Sequence, residues 1–477
     1  MKSVAIIGGG ITGLTAAFRL RQRDIPVTLY EAGARVGGVI QTIRSGGYLA
    51  EFGPNTILET SPRIAALIQD LGLGERRIYS NPDAGNRYIV RRGKPVAVPG
   101  SALAFLTTPL FSASAKLRLL AEPFIRRAAD GCEENLAEFV IRRMGREFLD
   151  YAVNPLAAGI YAGDPARLSV QYAFPKLHAA EQKYGSLILG QIFGARQRKR
   201  RGEVSKKDAK KFSFDEGLQV LIDALEARLA GAVRLCSPVG CLRRLPSGWE
   251  VSLRMEGREE TRQHSAVLLA LPAHKLARLQ LQACGSLSLA PLARIHHPPV
   301  ASVVLGFRRD QVAHPLSGYG MLIPQREGHK ILGTIFSSSL FPNRAPAGHV
   351  TLTSYVGGVR APHLALLDAE TLKALVCNDL RSILGVAGEP VFGHHQRFPR
   401  AIPQYEVGYG RFQKWMNEAE ARVPGLFFAG HYRDGISLGD SIVSGDGAAE
   451  KIEKFLASGW FHEVERESAE FAVETAG

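Results

Sequence analysis

No stretch of this 477-residue chain reaches the roughly eighteen uninterrupted apolar residues of a membrane-spanning helix. Cysteine is scarce: Cys132, Cys236, Cys241, Cys284 and Cys377 are an odd, scattered set. None stands at a C-x-x-C or zinc spacing, so they read as reduced thiols of a cytoplasmic protein, without a disulfide framework or a metal site. The first apolar run begins almost at Met1 and leaves no room for a cleaved signal peptide. No internal repeat is visible. Acidic residues are short, 45 against 59 Lys and Arg, for a net charge of +14. This balance favours anionic lipid, nucleic acid or an acidic small molecule as partner. The densest basic cluster is Ala195 to Lys211, "ARQRKRRGEVSKKDAKK". No aromatics interleave with it and no nucleic-acid-binding module surrounds it, so nucleic acid is not expected. A solvated loop and a membrane-facing basic patch remain open. A chain of this length exceeds one ordinary core, and two or three domains are expected.

What is present starts at the front, in "MKSVAIIGGGITGLTAAFRL". Val4 to Ile7 is short and apolar, as a buried parallel strand is. Gly8, Gly10 and Gly13 fit G-x-G-x-x-G. Leu14, Ala17, Phe18 and Ile25 then recur at roughly helical spacing, and Val27 to Tyr30 reads as a second strand ending on Glu31. Strand, glycine turn, helix, strand and acid form a dinucleotide-binding unit. Gly8 permits the tight turn, Gly10 lets a pyrophosphate approach the backbone, and Gly13 lets the helix pack on the sheet. The helix N-terminus offers free N–H groups to phosphate, and Glu31 can accept hydrogen bonds from a ribose. NAD and FAD both suit this unit. "EAGARVGG" leans toward FAD, because Arg35, Gly37 and Gly38 make a second basic, glycine-rich turn directly after the acid, and "EFGPNT" (Glu51 to Thr56) adds another.

The dinucleotide-binding pieces are dispersed. One is 1–85. A second begins at Phe212 to Leu229, read as an amphipathic helix, and continues into strands through "AVRLCSPVGCLRRLPSGWEVSL". A third is Gly425 to Ile452, with a strand through Phe427 and Phe428, a glycine-rich loop and a helix rich in small residues. Two insertions separate them. The first, near 96–205, holds "SALAFLTTPLFSASAKLRLLAEPFIRR", in which Pro109 and Pro123 interrupt apolar residues flanked by Lys116, Arg118, Arg126 and Arg127. It suits a buried helix pair or a membrane interface with its apolar face down. The second, 291–404, mixes strand-like runs ("VASVVLGF", "HVTLTSYVGG") with a helix ("AETLKALVCNDLRSIL").

Five stretches in order resemble the oxygen-dependent protoporphyrinogen oxidase family, within the flavin amine oxidase superfamily. They are "NRYIVRRGKPVAVP" (Asn86 to Pro99), "GIYAGDPARLSVQYAFPKL" (Gly159 to Leu177), "GYGMLIP" (Gly318 to Pro324), "LGTIFSSSLFPNRAP" (Leu332 to Pro346) and "AGHYRDGISLGDSIVSG" (Ala429 to Gly445). The resemblance implies an α/β (α+β) chain with a Rossmann-like FAD-binding domain (1–85, 206–290, 405–460). It implies an inserted substrate domain (86–95, 291–404), a mostly helical membrane-binding domain (96–205), and a frayed tail at 461–477. It further implies non-covalent FAD, in keeping with a C-terminal flavin motif without cysteine, and homodimers attached peripherally or monotopically to an anionic membrane. By resemblance, cofactor contacts fall on Gly8, Gly9, Gly10, Ile11, Thr12, Gly13, Glu31, Ala32, Arg35, Gly38, Val39, Gly53, Pro54, Asn55 and Thr56. Val239 falls on the adenine side, and Ile436, Ser437 and Leu438 on the isoalloxazine side. Substrate contacts fall on Arg87, Tyr319, Gly320, Leu322, Ile335 and Tyr355. Tyr319 and Tyr355 depart from the Phe that related enzymes often carry.

The activity so implied is six-electron oxidation of protoporphyrinogen IX to protoporphyrin IX, with O2 as acceptor and H2O2 as product, in haem biosynthesis. A porphyrinogen is an apolar macrocycle with propionates on one edge. Leu322, Ile335 and the two tyrosines can wall it, and Arg87 can pair with a propionate. The flavin carries the chemistry, and no protein base is assigned. His296–His297 and His394–His395 lack metal-ligand spacing and read as structural. Three enzyme alternatives stay open: oxidation of coproporphyrinogen III, a flavin amine oxidase and a carotenoid desaturase. A basic membrane-binding protein with a vestigial FAD fold is the non-enzymatic one.

Overall fold

A computed structural model of the chain describes residues 2–129, 131–193, 209–255, 258–283 and 287–458. Residues 195–208 of the basic run, Cys284 and the tail from 459 onward lie outside the described residues.

Five parallel strands make the dinucleotide layer, in the order Val233–Arg234, Val27–Tyr30, Val4–Ile7, Ala266–Leu269, Leu426–Phe428. The strands Val4–Ile7 and Ala266–Leu269 are buried at every position, as expected of a parallel sheet covered on both faces. The turn helix Ile11–Arg21 and the long helix Leu438–Ala457 pack on one another against this sheet. Three segments far apart in sequence therefore build one layer, because only together do they bury both sheet faces.

A seven-stranded sheet forms the second body. Its order is Phe392–Phe398, Val300–Arg308, His349–Gly357, Ile331–Ile335, Gly320–Leu322, Arg87–Arg91, Lys94–Ala97. All neighbours are antiparallel except Gly320–Leu322 with Arg87–Arg91. One face carries Val303, Leu305, Phe307, Met321 and Leu352, packed with Leu372, Val376 and Leu380 of the helix Ala369–Leu384. Strand alternation sends Arg87, Leu322, Ile335 and Tyr355 to the other face.

The 96–205 segment is helical where described. Its interior is partly ionic: Arg143 is fully buried between Glu122 (3.1 Å) and Glu181 (2.5 Å). Glu122 also accepts from the Ser186 hydroxyl and the Leu187 N–H. Every charge there has a partner, which is the condition for burying it. Helix Asn154–Tyr161 leaves this body and crosses the seven-stranded sheet, with Gly159 over Leu322. A β-carbon on Gly159 would sit 2.5 Å from Leu322 Cδ2, so a larger residue there would displace the tip of that side chain.

One local expectation needs correction. Phe212 does not begin a helix. Lys211–Phe214 is a strand between Ile57–Leu58 and Arg77–Tyr79, and the helix covers only Gln219–Arg228. The apolar spacing at 212, 214 and 218 suits either element, and pairing to a distant sheet decides between them.

Candidate active site

The turn has the geometry that its glycines predict. Gly8 adopts φ +113°, and a β-carbon on Gly13 would lie 2.0 Å from the Gly8 carbonyl oxygen. At Gly10 a β-carbon would meet nothing within 4 Å, so the space beside it is open. Gly10 caps the helix without any side-chain hydrogen bond, which leaves first-turn N–H donors for a ligand. Glu31 is fixed by two backbone donors, Gly9 N–H at 2.8 Å to Oε2 and Gly33 N–H at 2.7 Å to Oε1. Each carboxylate oxygen keeps acceptor capacity for a ribose. Ser237 N–H donates to the Glu31 carbonyl at 2.8 Å, which brings Val239 to this end of the turn. Ala32, Gly38 and Val39 are exposed along the same loop.

Arg35, expected beside the cofactor, is also bonded within its own loop. Its guanidinium donates to the carbonyls of Val36 (3.0 Å), Ile40 (3.1 Å) and Gly38 (2.8 Å). It therefore shapes the second glycine turn, with most of its donors already engaged.

The loop Gly53–Pro54–Asn55–Thr56 meets the second sheet. Asn55 Nδ2 donates to the Tyr355 hydroxyl at 2.5 Å. Register explains how distant residues converge. Arg87, Gly320 and Ile335 are mutual partners across adjacent strands, and Leu322, Gly333 and Tyr355 form a parallel row two residues along. All six expected substrate residues thus lie on or beside one sheet end that faces the cofactor loops. Arg87 is exposed, while Leu322, Ile335, Tyr319 and Tyr355 are half-buried. Burial raises both tyrosine hydroxyls above their ordinary pKa, so both are neutral donors or acceptors at neutral pH.

At the far side, Ile436, Ser437 and Leu438 precede and open the helix Leu438–Ala457. Ser437 and Asp440 close a capping box there, Ser437 Oγ accepting from Asp440 N–H at 3.0 Å and Asp440 Oδ2 from Ser437 N–H at 3.3 Å. The loop before them hangs on tyrosines. Tyr405 donates to the His431 carbonyl (2.5 Å) and accepts from Gly435 N–H (3.1 Å), and Tyr432 donates to the Leu269 carbonyl (3.0 Å). Thr12 Oγ1 donates to the Ser441 carbonyl at 3.2 Å, joining the front turn to this helix.

Several residues here escape sequence reasoning. Glu51 is 4% exposed, takes hydrogen bonds from Thr42 Oγ1 (2.7 Å) and Leu218 N–H (2.8 Å), and borders a small cavity shared with Asn55, Ile335 and Arg344. Burial pushes its carboxyl up to about 7, against those two hydrogen bonds and the Arg344 charge. Its only sequence signal is an acid set in the apolar run "YLAEF". His274, His297 and His431 pack edge to face in series, with ring centroids 5.0 Å and 6.1 Å apart. Burial pushes them down to about 4, 4 and 3, so all are neutral imidazoles. His297 Nδ1 donates to the Ile295 carbonyl at 2.8 Å, and His296 Nδ1 lies 3.2 Å from Glu406. His394 packs edge-on to Phe52 at 6.0 Å. No group of three or more metal-capable side chains occurs among the described residues. Lys211, last residue of the basic run, stands 5.9 Å from the Tyr319 ring centre.

A glycine turn before an open helix N-terminus, an acid ending the next strand and a second sheet at the far end have the form of a dinucleotide-dependent α/β oxidoreductase. The chain belongs to the flavin-containing amine oxidoreductase family, which matches it over residues 11–453. Protoporphyrinogen oxidase 2, chloroplastic/mitochondrial, of Arabidopsis thaliana is 35% identical over 96% of this chain and 95% of its own. Coproporphyrinogen III oxidase of Bacillus subtilis is 31% identical over 96% and 99%. A crystal structure from Exiguobacterium sp. 255-15, itself assigned provisionally as a protoporphyrinogen oxidase, superposes with TM-score 0.79 at 27% identity over 95% and 99%. The protein is a flavin-dependent oxidoreductase.

Proposed function

We propose that the protein oxidises protoporphyrinogen IX to protoporphyrin IX in haem biosynthesis, using non-covalent FAD and O2. The observation that carries this reading is the Asn55–Tyr355 junction. It sets an apolar, cation-rimmed sheet end directly against the cofactor loops. The flavin supplies two-electron chemistry, three rounds of which remove six electrons and six protons from the substrate and reduce three O2 to three H2O2. The residues do the rest. The free N–H groups after Gly10 receive the pyrophosphate, and Glu31 receives the ribose. Leu322, Ile335, Tyr319 and Tyr355 wall the macrocycle, helix Asn154–Tyr161 covers Leu322 and excludes water, and Arg87 pairs with a propionate at the mouth. Relatives bearing protoporphyrinogen oxidase and coproporphyrinogen III oxidase names match at similar identity, so coproporphyrinogen III is the second substrate to test.

The 96–205 body supports monotopic attachment to an anionic membrane. Helices Ala102–Thr107 and Ala113–Leu120 bury almost nothing. Leu103, Leu117 and Phe124 are 73%, 67% and 87% exposed, an apolar surface that a soluble monomer rarely presents. Lys116 and Arg118 sit beside it, but both donate to backbone carbonyls. Attachment is therefore chiefly apolar. Among the described residues no helix is long and apolar enough to cross a membrane.

The deciding assay offers protoporphyrinogen IX, coproporphyrinogen III and a panel of primary amines side by side, reading porphyrin fluorescence and peroxide. Protoporphyrin formation with three peroxides per ring is expected. Turnover of an amine with neither porphyrinogen oxidised would overturn the proposal.

A further inference from the structure

Lys211 stands apart from the other cations of its neighbourhood. Arg77 is paired with Glu59, Arg76 with Asp215 and Glu216, and Arg44 with Glu216. Lys210 lies over the Tyr79 ring. Lys211 is half-buried and makes no ion pair among the described residues, and neither does Arg87. Both bear on Tyr319: the Lys211 ammonium is 5.9 Å from its ring centre, and the Arg87 charge acts on its hydroxyl. Burial, with Arg87 next, lowers the Lys211 pKa. Two neighbouring cations without a carboxylate repel one another, and the half-buried Lys211 loses hydration as well. A fold that keeps them so, beside Tyr319 and the sheet end that carries Gly320 and Ile335, is complementary to a ligand with two adjacent negative charges. Each is held in place: Lys211 by strand pairing to Leu58, Arg87 by pairing to Gly320.

The geometry points to Lys211 as a second carboxylate receptor, which with Arg87 holds the pair of carboxylates on one edge of a tetrapyrrole. This assignment rests on the porphyrinogen reading above and adds to it a determinant of substrate choice. Lys211 binds and orients; it takes no part in the redox step. A dicarboxylate edge satisfies both cations, while an esterified edge leaves both unpaired.

The test is equilibrium binding of protoporphyrin IX and its dimethyl ester to the holoenzyme, read by porphyrin fluorescence. Wild type is compared with Lys211→Met, Lys211→Arg and Arg87→Met, each checked for flavin content. Lys211→Met and Arg87→Met should each weaken the diacid about ten- to a hundredfold, the usual range for a charged hydrogen bond. Neither should change ester binding more than about twofold, and Lys211→Arg should keep most of the diacid affinity. Diacid binding by Lys211→Met equal to wild type, with Arg87→Met still weakened, would overturn the role of Lys211 and leave the porphyrinogen reading standing. Equal loss of diacid and ester in Lys211→Met would make Lys211 a packing residue and overturn it too. Diacid and ester bound equally by the wild type would remove the carboxylate-reading cleft itself.

Discussion

Asn55 and Tyr355, three hundred positions apart in the chain, share a hydrogen bond of 2.5 Å across the junction between the cofactor loops and the seven-stranded sheet. The Tyr355 hydroxyl lies 3.5 Å from the Gly53 carbonyl as well. A residue proposed for the cofactor and one proposed for the substrate therefore hold each other. Tyr355→Phe keeps the ring and removes the link. It should lower stability by about 1 kcal/mol, the net value of one hydrogen bond. Turnover should stay within about threefold of wild type, since the wall is intact. Urea unfolding and steady-state rates check both, and a collapse in turnover with full flavin content would give the hydroxyl a direct part in the chemistry.

The front turn yields a paired prediction. Gly10 has ordinary extended dihedrals (φ −73°, ψ 174°) and open space at its β-carbon position. Gly10→Val should fold normally yet fail to load flavin, because its methyls occupy the pyrophosphate position. Gly13→Val should fail to fold, because its β-carbon meets the Gly8 carbonyl at 2.0 Å. Circular dichroism and flavin absorbance on both purified variants separate these outcomes. A yellow Gly10→Val protein would move the phosphate elsewhere.

What could be read from sequence was local. Gly8, Gly10, Gly13 and Glu31 lie within one unit of strand, turn and helix, where spacing and backbone sterics determine the conformation. Two strands of the second sheet, Val300–Arg308 and His349–Gly357, were legible as apolar runs, but their convergence was not, since nothing near Arg87 in sequence indicates that it pairs with Gly320 or that Ile335 lies beyond. The environments of Glu51, Lys211 and the edge-to-face histidines were not legible. They come from residues more than a hundred positions away, such as Leu218 donating to Glu51, His431 packing on His297, or Lys211 reaching Tyr319. Nor does the motif at Arg35 indicate that its guanidinium bonds three carbonyls of its own loop.

Membrane attachment should follow apolar surface more than charge. Leu103→Ser, Leu117→Ser and Phe124→Ser combined remove three exposed side chains and touch no core. Each inserted side chain is worth on the order of 1.5–3 kcal/mol, so the triple variant should bind anionic liposomes at least tenfold more weakly. Raising salt should weaken the wild type only modestly. Flotation on sucrose gradients reads both, and undiminished flotation of the triple variant would place the contact surface elsewhere.

His297 sets an acid limit on stability. It is 7% exposed, and burial holds its pKa at about 4. The unfolded chain takes up this proton near pH 6.5 while the native state does not. The stabilisation is complete above 6.5 and is lost as pH falls toward 4, up to about 3 kcal/mol. His297→Asn can keep the bond to the Ile295 carbonyl without titrating. Its stability should fall less than that of the wild type between pH 7.5 and 5, and parallel curves would refute the assignment.

Glu51 acts in the opposite sense. Its folded pKa of about 7 lies above the ordinary carboxyl value of 4.5, so the native state holds a proton that the unfolded chain gives up. Stability from this group is complete below pH 4.5, falls as pH rises, and is gone above 7. The shift corresponds to roughly 3 kcal/mol in all, most of it between pH 5 and 8. Glutamine mimics the protonated acid. Its oxygen can accept from Leu218 N–H, and its amide can donate to Thr42 Oγ1. Glu51→Gln should therefore match the wild type near pH 5 and exceed it by about 2–3 kcal/mol at pH 8, with flavin content unchanged. Urea unfolding at the two pH values reads the difference directly. A variant whose advantage does not grow with pH would mean that Glu51 is ionised in the fold, with Arg344 and the two hydrogen bonds outweighing its burial.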